Sequence, residues 1–333
     1  MDELIYKLDE KTHDEILKEL RDNIFSDKTP VSNPKIVILG GQPGAGKSKI
    51  ITLSENELFK DGNVVKINGD DYRIRHPKAE EIFKRHDKLF ARLTDPDVRE
   101  WTRKIFEEAM NKKFNIIFEG TLRTPQICET MKKLKQLGYE TFLRVVAVNE
   151  LISRTAIYSR YIEQFESEQK EIARFSEKKY HDEALSGMLK TIEIIEKEKL
   201  CNRIEIFTRD GKLLFSSEPD QSKSCIPAII EERNKKWSLE EYKKFIEWTN
   251  KIIEKLKKYN LKEEYEGEIK ELQSKAKQML NEKDKALIEK EDKKVENIIK
   301  NATQKAKSNS QTVEGNTRKN GRCWQWQKIL KKN

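Results

Sequence analysis

The stretch Gly41-Gln42-Pro43-Gly44-Ala45-Gly46-Lys47-Ser48 constrains this chain more than any other. It fits the pattern GxxxxGK[ST], and it lies between an apolar run, Ile36-Val37-Ile38-Leu39, and an amphipathic segment, Lys49–Phe59. A strand, a glycine-rich loop and a helix in that order are the context in which the pattern binds phosphate. The glycines allow backbone N–H groups to turn inward around the phosphates. The helix adds its positive N-terminal end. In such a loop Lys47 supplies a mobile cation to the transferring phosphoryl oxygens, and the Ser48 hydroxyl is a Mg²⁺ ligand. ATP and Mg²⁺ are therefore the expected cofactors, with residues 41–48 as the nucleotide site.

The surrounding pattern extends the fold. Val64-Val65-Lys66-Ile67, Asn115-Ile116-Ile117-Phe118, Phe142 through Val148 and Ile204-Glu205-Ile206-Phe207 read as further strands. Amphipathic stretches at 97–111, 126–137 and 176–199 alternate with them, and residues 5–26 form one more amphipathic helix ahead of the first strand. Continuous apolar strands alternating with helices imply a parallel sheet covered on both faces. Arg209-Asp210-Gly211-Lys212 before Leu213-Leu214-Phe215 reads as a turn into an antiparallel edge strand. The expected fold class is α/β, a P-loop NTPase-like parallel sheet flanked by helices, with a C-terminal helical extension.

The domain reading is a kinase domain over 1–220, a linker over 221–237, a charged helical extension over 238–306, and a disordered polar tail over 307–333 ending in a short helix. Ser238-Leu239-Glu240-Glu241 has the form of a capping box that starts the extension. The formal charge of +9 is unevenly placed: residues 231–333 hold 27 Lys+Arg and 18 Asp+Glu, which leaves 40 of each in 1–230. Acid and base nevertheless alternate closely, as in Lys262-Glu263-Glu264-Tyr265-Glu266. That is the pattern of a solvated helix with i,i+4 pairs, and it argues against a nucleic-acid arm.

Cys128, Cys201, Cys225 and Cys323 are scattered, so neither a zinc site nor a disulfide framework is expected, and the compartment reading is a reducing cytoplasm. No stretch approaches a membrane span and the N-terminus has no leader pattern, so no membrane partner is expected.

A transferase needs an acceptor side. Asn68-Gly69-Asp70-Asp71-Tyr72-Arg73 follows the second strand, at the carboxyl edge that also carries the loop. A carboxylate there can take the proton of an attacking hydroxyl, and Asp70 and Asp71 both qualify. Glu119 ends the third strand in Phe118-Glu119-Gly120-Thr121, and Arg123 follows. Arg154, Arg160 and Arg174 lie after the fourth strand, where a lid would set guanidinium groups over the phosphates.

Taken together these segments resemble the zeta toxin family. The likeness rests on Leu39 through Ser48, Ile67-Asn68-Gly69-Asp70 with Arg73 and His76-Pro77, Glu119-Gly120-Thr121 with Arg123-Thr124, and Ser159-Arg160-Tyr161 with Ala173-Arg174 and His181-Asp182. It runs from about residue 5 to 220. The resemblance implies a kinase that phosphorylates the 3′-hydroxyl of UDP-N-acetylglucosamine and so starves cell-wall synthesis. It further implies Asp70 as catalytic base, Lys47 and Ser48 as ATP·Mg²⁺ ligands, Arg160 and Arg174 as lid arginines, and Arg73, Glu119, Thr121 and Arg123 as sugar-nucleotide contacts. The implied partner is a small helical antitoxin that covers the nucleotide site. Two departures stand out: Asn68 occupies a position that is commonly acidic, and a gap-free count back from Glu119 reaches Arg103 where a carboxylate is common. Two alternative readings are a P-loop kinase for another hydroxyl, on a nucleic-acid end, nucleoside or antibiotic, and an ATP-regulated nucleic-acid-binding protein.

Overall fold

The computed structural model describes residues 4–166, 175–218, 222–261, 263–290, 293, 294 and 297. In chain order it comprises α1 (Glu10–Phe25), β1 (Lys35–Gly40), α2 (Lys47–Leu58), β2 (Val65–Ile67), α3 (Gly69–Tyr72), α4 (Ala79–His86), α5 (Phe90–Asn111), β3 (Ile116–Glu119) and α6 (Gln126–Gln136). There follow β4 (Glu140–Val146), α7 (Glu150–Glu166), α8 (Lys178–Lys197), β5 (Arg203–Phe207), β6 (Leu213–Ser216), α9 (Ile226–Asn234), α10 (Leu239–Lys258) and α11 (Glu263–Met279).

The strands form one six-stranded sheet in the order β2-β3-β1-β4-β5-β6. All neighbours are parallel except β6, which returns antiparallel to β5. The expected α/β sheet and its antiparallel edge strand are both present. β1 lies between β3 and β4, so the chain leaves β1 at the point where successive connections diverge to opposite sides. Open α/β sheets place ligands at such a point, outside the carboxyl ends of the strands.

The alternation within β1 explains why both faces are covered. Ile36 and Ile38 join a core with Trp101, Ile105, Met131, Leu134, Met188 and Ile192, drawn from α5, α6 and α8. Val37 and Leu39 point the other way, into a core with Ile50 of α2, Phe142, Val146 and Phe207. All four β1 side chains are fully buried. At about 25 cal/mol per Å² of apolar surface, each contributes roughly 1.5–3 kcal/mol by leaving water.

An ion pair lies inside this sheet. Arg144 of β4 is 1% exposed and pairs in register with Glu205 of β5. Its Nε donates to the Glu205 carboxylate at 2.8 Å, its Nη1 donates to Ser54 Oγ on α2 at 2.9 Å, and its Nη2 donates to Glu57. A buried guanidinium is tolerable only when its donors are taken in this way.

The sequence reading differs from the structure in the segment after β6. Residues 221–237 were expected to be a linker, yet α9 forms within them, with Pro227 in its first turn and Ile229 and Arg233 buried. Pro and Ser in that stretch belong to a helix start rather than to a flexible connection. α10 starts at Leu239, directly after Ser238. The tail over 307–333 lies outside the described residues.

The described chain divides into two compact units. The first is Met1–Lys236 with Glu241–Met279, and it holds the sheet. The second is Trp237–Glu240 with the chain from Leu280 onward. In it, Trp237 bridges Leu280, and Asp284 Oδ2 accepts from the Leu239 N–H at 3.0 Å. Asn281 Oδ1 caps the following helical turns through the Asp284 N–H at 2.9 Å. Among the described residues no helix is long and apolar enough to cross a membrane.

Candidate active site

The loop after β1 has the backbone a phosphate cradle requires. Gly41, Gly44 and Gly46 have φ of 154°, 78° and 93°, a region that side chains resist. A Cβ on Gly44 would also meet the carbonyl oxygen of Ser153 at 2.1 Å. Gly46 is the N-cap of α2 and has no side chain to take the N–H groups of the first turn, which suits an anion there. Ser48, in that turn, is exposed. These residues fit a nucleotide's phosphates with a Mg²⁺ at the Ser48 hydroxyl. Among the described residues no group of three or more His, Cys, Asp or Glu is placed to hold a metal ion.

Lys47 is buried in this cradle. Its Nζ donates to the Gly41 carbonyl at 3.0 Å and lies 3.6 Å from Glu119 Oε1. Burial pushes the Lys47 amine below the usual lysine range, against the pull of Glu119 and then Asp70; Arg160 adds to the downward push. Lys47, Glu119, Asp70 and Arg160 therefore share one electrostatic neighbourhood.

Sheet register explains the convergence. Glu119, the last residue of β3, pairs with Leu39 at the end of β1, and the Gly120 N–H donates to the Leu39 carbonyl at 3.1 Å. Ile67 pairs with Phe118, so β2 releases Asn68 and Asp70 on the same edge. Asn68 is the N-cap of α3: its side chain accepts from the Asp70 N–H at 3.1 Å. That gives the departure at position 68 a local purpose, since Asn caps as well as Asp.

Asp70 has a half-exposed side chain held by Arg73, whose Nε donates to Oδ1 at 2.8 Å. The remaining Arg73 donors go to the Ala91 carbonyl, to Thr94 Oγ1 at 3.0 Å and to Asp95 Oδ1 at 3.2 Å, all on α5. Arg73, expected as a substrate contact, is thus engaged with the protein and fixes Asp70. Arg103, at the second departure, donates to Glu107 at 2.8 Å on the exposed side of α5.

Thr121 and Arg123 lie in the loop after β3, around a strained residue. Leu122 has φ of 55°, unusual for a branched side chain, and is buried. Its Cδ1 fills the space a Cβ on Gly40 would occupy, at 2.4 Å. Arg123 is steered from α8: Nη1 lies 3.3 Å from Glu183 Oε2, and the guanidinium is 5.2 Å from the Tyr180 ring centroid. Gly187 permits this approach, because a Cβ there would stand 2.0 Å from the Arg123 carbonyl oxygen. Alanine would favour the helix by about 1 kcal/mol, so the glycine serves the contact. Gly187→Ala is expected to raise KM for the acceptor and lower kcat/KM about 10²-fold, the scale of an ångström-sized displacement. Steady-state kinetics with a nucleotide-binding assay, in which ATP affinity stays unchanged, checks this.

Several contacts have no sequence signal beyond their position. Gln42 is fully buried; its Nε2 donates to the Val148 carbonyl at 3.0 Å and to Ser153 Oγ at 3.2 Å. Ser153 Oγ is 2.8 Å from His181 Nε2, and His181 Nδ1 is 2.9 Å from Asp182 Oδ1. Arg209, at the carboxyl end of β5, donates to the Gly44 carbonyl, and the Arg233 guanidinium of α9 reaches Gln42 Oε1 at 3.5 Å. Gln42 and His181-Asp182 lie in segments singled out from the sequence, and Arg209 in the turn read there, but none of them signalled these partners. Arg174 lies outside the described residues.

Burial lowers His181 from 6.5 to about 4. The folded protein therefore binds fewer protons than the unfolded chain between those values. Its stability is fully present above about pH 6.5 and declines as pH falls, by up to about 1.4 kcal/mol per pH unit for one such group. His76 is lowered by burial too. His181→Gln should make the acid decline of the urea midpoint shallower by about one proton, leaving the His76 part; an unchanged pH slope would contradict the assignment.

A mostly parallel sheet with this loop, this edge and an α7 that carries Arg154 and Arg160 defines a P-loop kinase-like protein. The zeta toxin family model matches residues 20–220, and the chain belongs to the zeta toxin family. Toxin zeta of Enterococcus hirae is 30% identical over 247 residues, covering 73% of this chain and 83% of that protein. Toxin PezT of Streptococcus pneumoniae serotype 4 is 28% identical over 210 residues, 63% of this chain and 80% of that one. A solved structure from the PezAT chromosomal toxin–antitoxin system of Streptococcus pneumoniae shares the fold, with a TM-score of 0.64 at 23% identity over 77% of this chain and 100% of its own.

Proposed function

We propose that this chain is the toxin of a toxin–antitoxin pair and transfers the γ-phosphoryl group of ATP, in the cytoplasm, to the 3′-hydroxyl of UDP-N-acetylglucosamine. The observation that carries this reading is Lys47 in the glycine loop, 3.6 Å from Glu119, with Asp70 released beyond β2 at the same carboxyl edge of the sheet. Asp70, set by Arg73, takes the acceptor's proton. Lys47 gives up its resting contacts with Gly41 and Glu119 to follow the phosphoryl oxygens. Arg160, with Arg174, meets the charge that builds on the transferring group. Mg²⁺, when bound at Ser48, neutralises the phosphates. Glu119, Thr121 and Arg123 orient the sugar nucleotide, in keeping with the tight packing of their loop. Family membership and the likeness to a PezAT structure support a small helical antitoxin as partner.

The test is direct. The full chain is incubated with ATP, Mg²⁺ and UDP-N-acetylglucosamine beside a panel of nucleosides, 5′-hydroxyl oligonucleotides and aminoglycosides, and products are read by mass. One added phosphate on UDP-N-acetylglucosamine, mapped to the 3′-oxygen, is the expected result. Transfer to another panel member would keep the kinase and replace the acceptor. Salt-sensitive nucleic-acid binding with no transfer to anything would reject the enzyme reading.

A further inference from the structure

We infer that α11 is a clasp for the transfer site, with Tyr265 and Glu268 as positioning residues that hold the lid helix α7 and the acceptor-side segment before α5 in one arrangement. The inference rests on the phosphotransferase reading above and gives the charged extension a part in it.

The first arm of the clasp grips α7. Tyr265 is fully buried, and its ring centroid lies 5.3 Å from Phe175, 5.6 Å from Tyr161 and 5.7 Å from Tyr158. Tyr158 and Tyr161 bracket Arg160 on α7. One turn further along α11, Glu268 Oε2 accepts from Arg154 Nη2 at 2.9 Å and from the Tyr158 hydroxyl. Arg154 is 4% exposed, so the contact neutralises a guanidinium that has little water.

The second arm grips the acceptor side. The Tyr265 hydroxyl donates to Asp87 Oδ2 at 3.2 Å, and the Tyr161 hydroxyl donates to the same oxygen at 3.1 Å. Lys88 Nζ lies 4.3 Å from the Tyr265 ring centroid and 2.6 Å from Glu264 Oε1. Asp87 and Lys88 lead into α5, whose Ala91, Thr94 and Asp95 hold Arg73, and Arg73 holds Asp70. One helix thus touches the route to the lid arginine and the route to the base. Phosphoryl transfer depends on holding donor and acceptor sides in register, which is where misplacement is most costly.

The experiment uses the full chain with Tyr265→Ala, Tyr265→Phe and Glu268→Gln, each alone and with Arg160→Ala. Tyr265→Ala is expected to lower kcat about tenfold or more with KM for ATP within about threefold, and Tyr265→Phe, which keeps the ring, to recover most of it. In the Arg160→Ala background the same change should cost less than about twofold more, because the two act through one element. Amide hydrogen exchange should rise over residues 154–162 and 87–95. Unchanged kcat and exchange in Tyr265→Ala and Glu268→Gln, or losses that simply add to that of Arg160→Ala, would overturn the clasp. If Tyr265→Ala does not fold, Glu268→Gln, which keeps its volume, decides by the same readouts. If the wild-type chain transfers no phosphate, the kinase reading falls and the exchange pattern alone decides the clasp.

Discussion

Asp70→Asn is expected to bind ATP as the wild-type chain does and to transfer phosphate about 10²–10⁴-fold more slowly, the range a positioned base supplies. The amide keeps the carboxylate's shape but cannot take a proton. Arg73 would retain its contacts with Thr94 and Asp95, so the turn should stay in place and the loss should fall on kcat. Asp71→Asn is the comparison, since Asp71 is the neighbouring carboxylate in the same short helix. Single-turnover transfer with a nucleotide-binding assay checks both. Wild-type kcat in Asp70→Asn would remove Asp70 from the chemistry, and a collapse confined to Asp71→Asn would move the base by one residue.

Lys47→Met should have an effect of similar size, about 10³-fold or more on kcat/KM, because the cation follows charge that develops only as the phosphoryl group moves. Its effect on stability should be opposite in sense. Lys47 is 9% exposed and its charge is disfavoured by burial. A thioether of similar length is easier to bury, so the variant's urea midpoint should match or exceed that of the wild type. A folded, stable protein with no transfer marks a residue retained for chemistry. Unchanged turnover would deny the loop its function, and lost folding would make Lys47 a structural residue.

The sheet and its loop were legible in the sequence because their signals are local. Four consecutive apolar residues, a glycine pattern and an amphipathic segment specify β1, the cradle and α2 without reference to the rest of the chain. The placement of Glu119 and Asp70 on one edge could be read for the same reason, since Glu119 ends β3 and Asp70 follows the end of β2. What the sequence did not reveal depends on residues far apart. Nothing beside Arg73 announces that its guanidinium is taken by Thr94 and Asp95 on another helix. The link from Gln42 through Ser153 to His181 spans three elements, and Leu122, with its left-handed backbone, sets its side chain in space that Gly40 leaves open. The segment holding α9 failed for a different reason: Pro and Ser serve helix starts and loops equally well. In the extension, alternating charges concealed Tyr265, which is buried against Tyr158 and Tyr161, more than a hundred positions earlier in α7.

The position of α11 along the chain also has a bearing on timing. A ribosome delivers Lys47, Asp70 and Glu119 first and residues 263–279 late, after every side chain assigned to the chemistry. If those late residues complete the arrangement, a chain that stops short of them transfers phosphate about tenfold more slowly or worse, and full activity waits on the synthesis of α11.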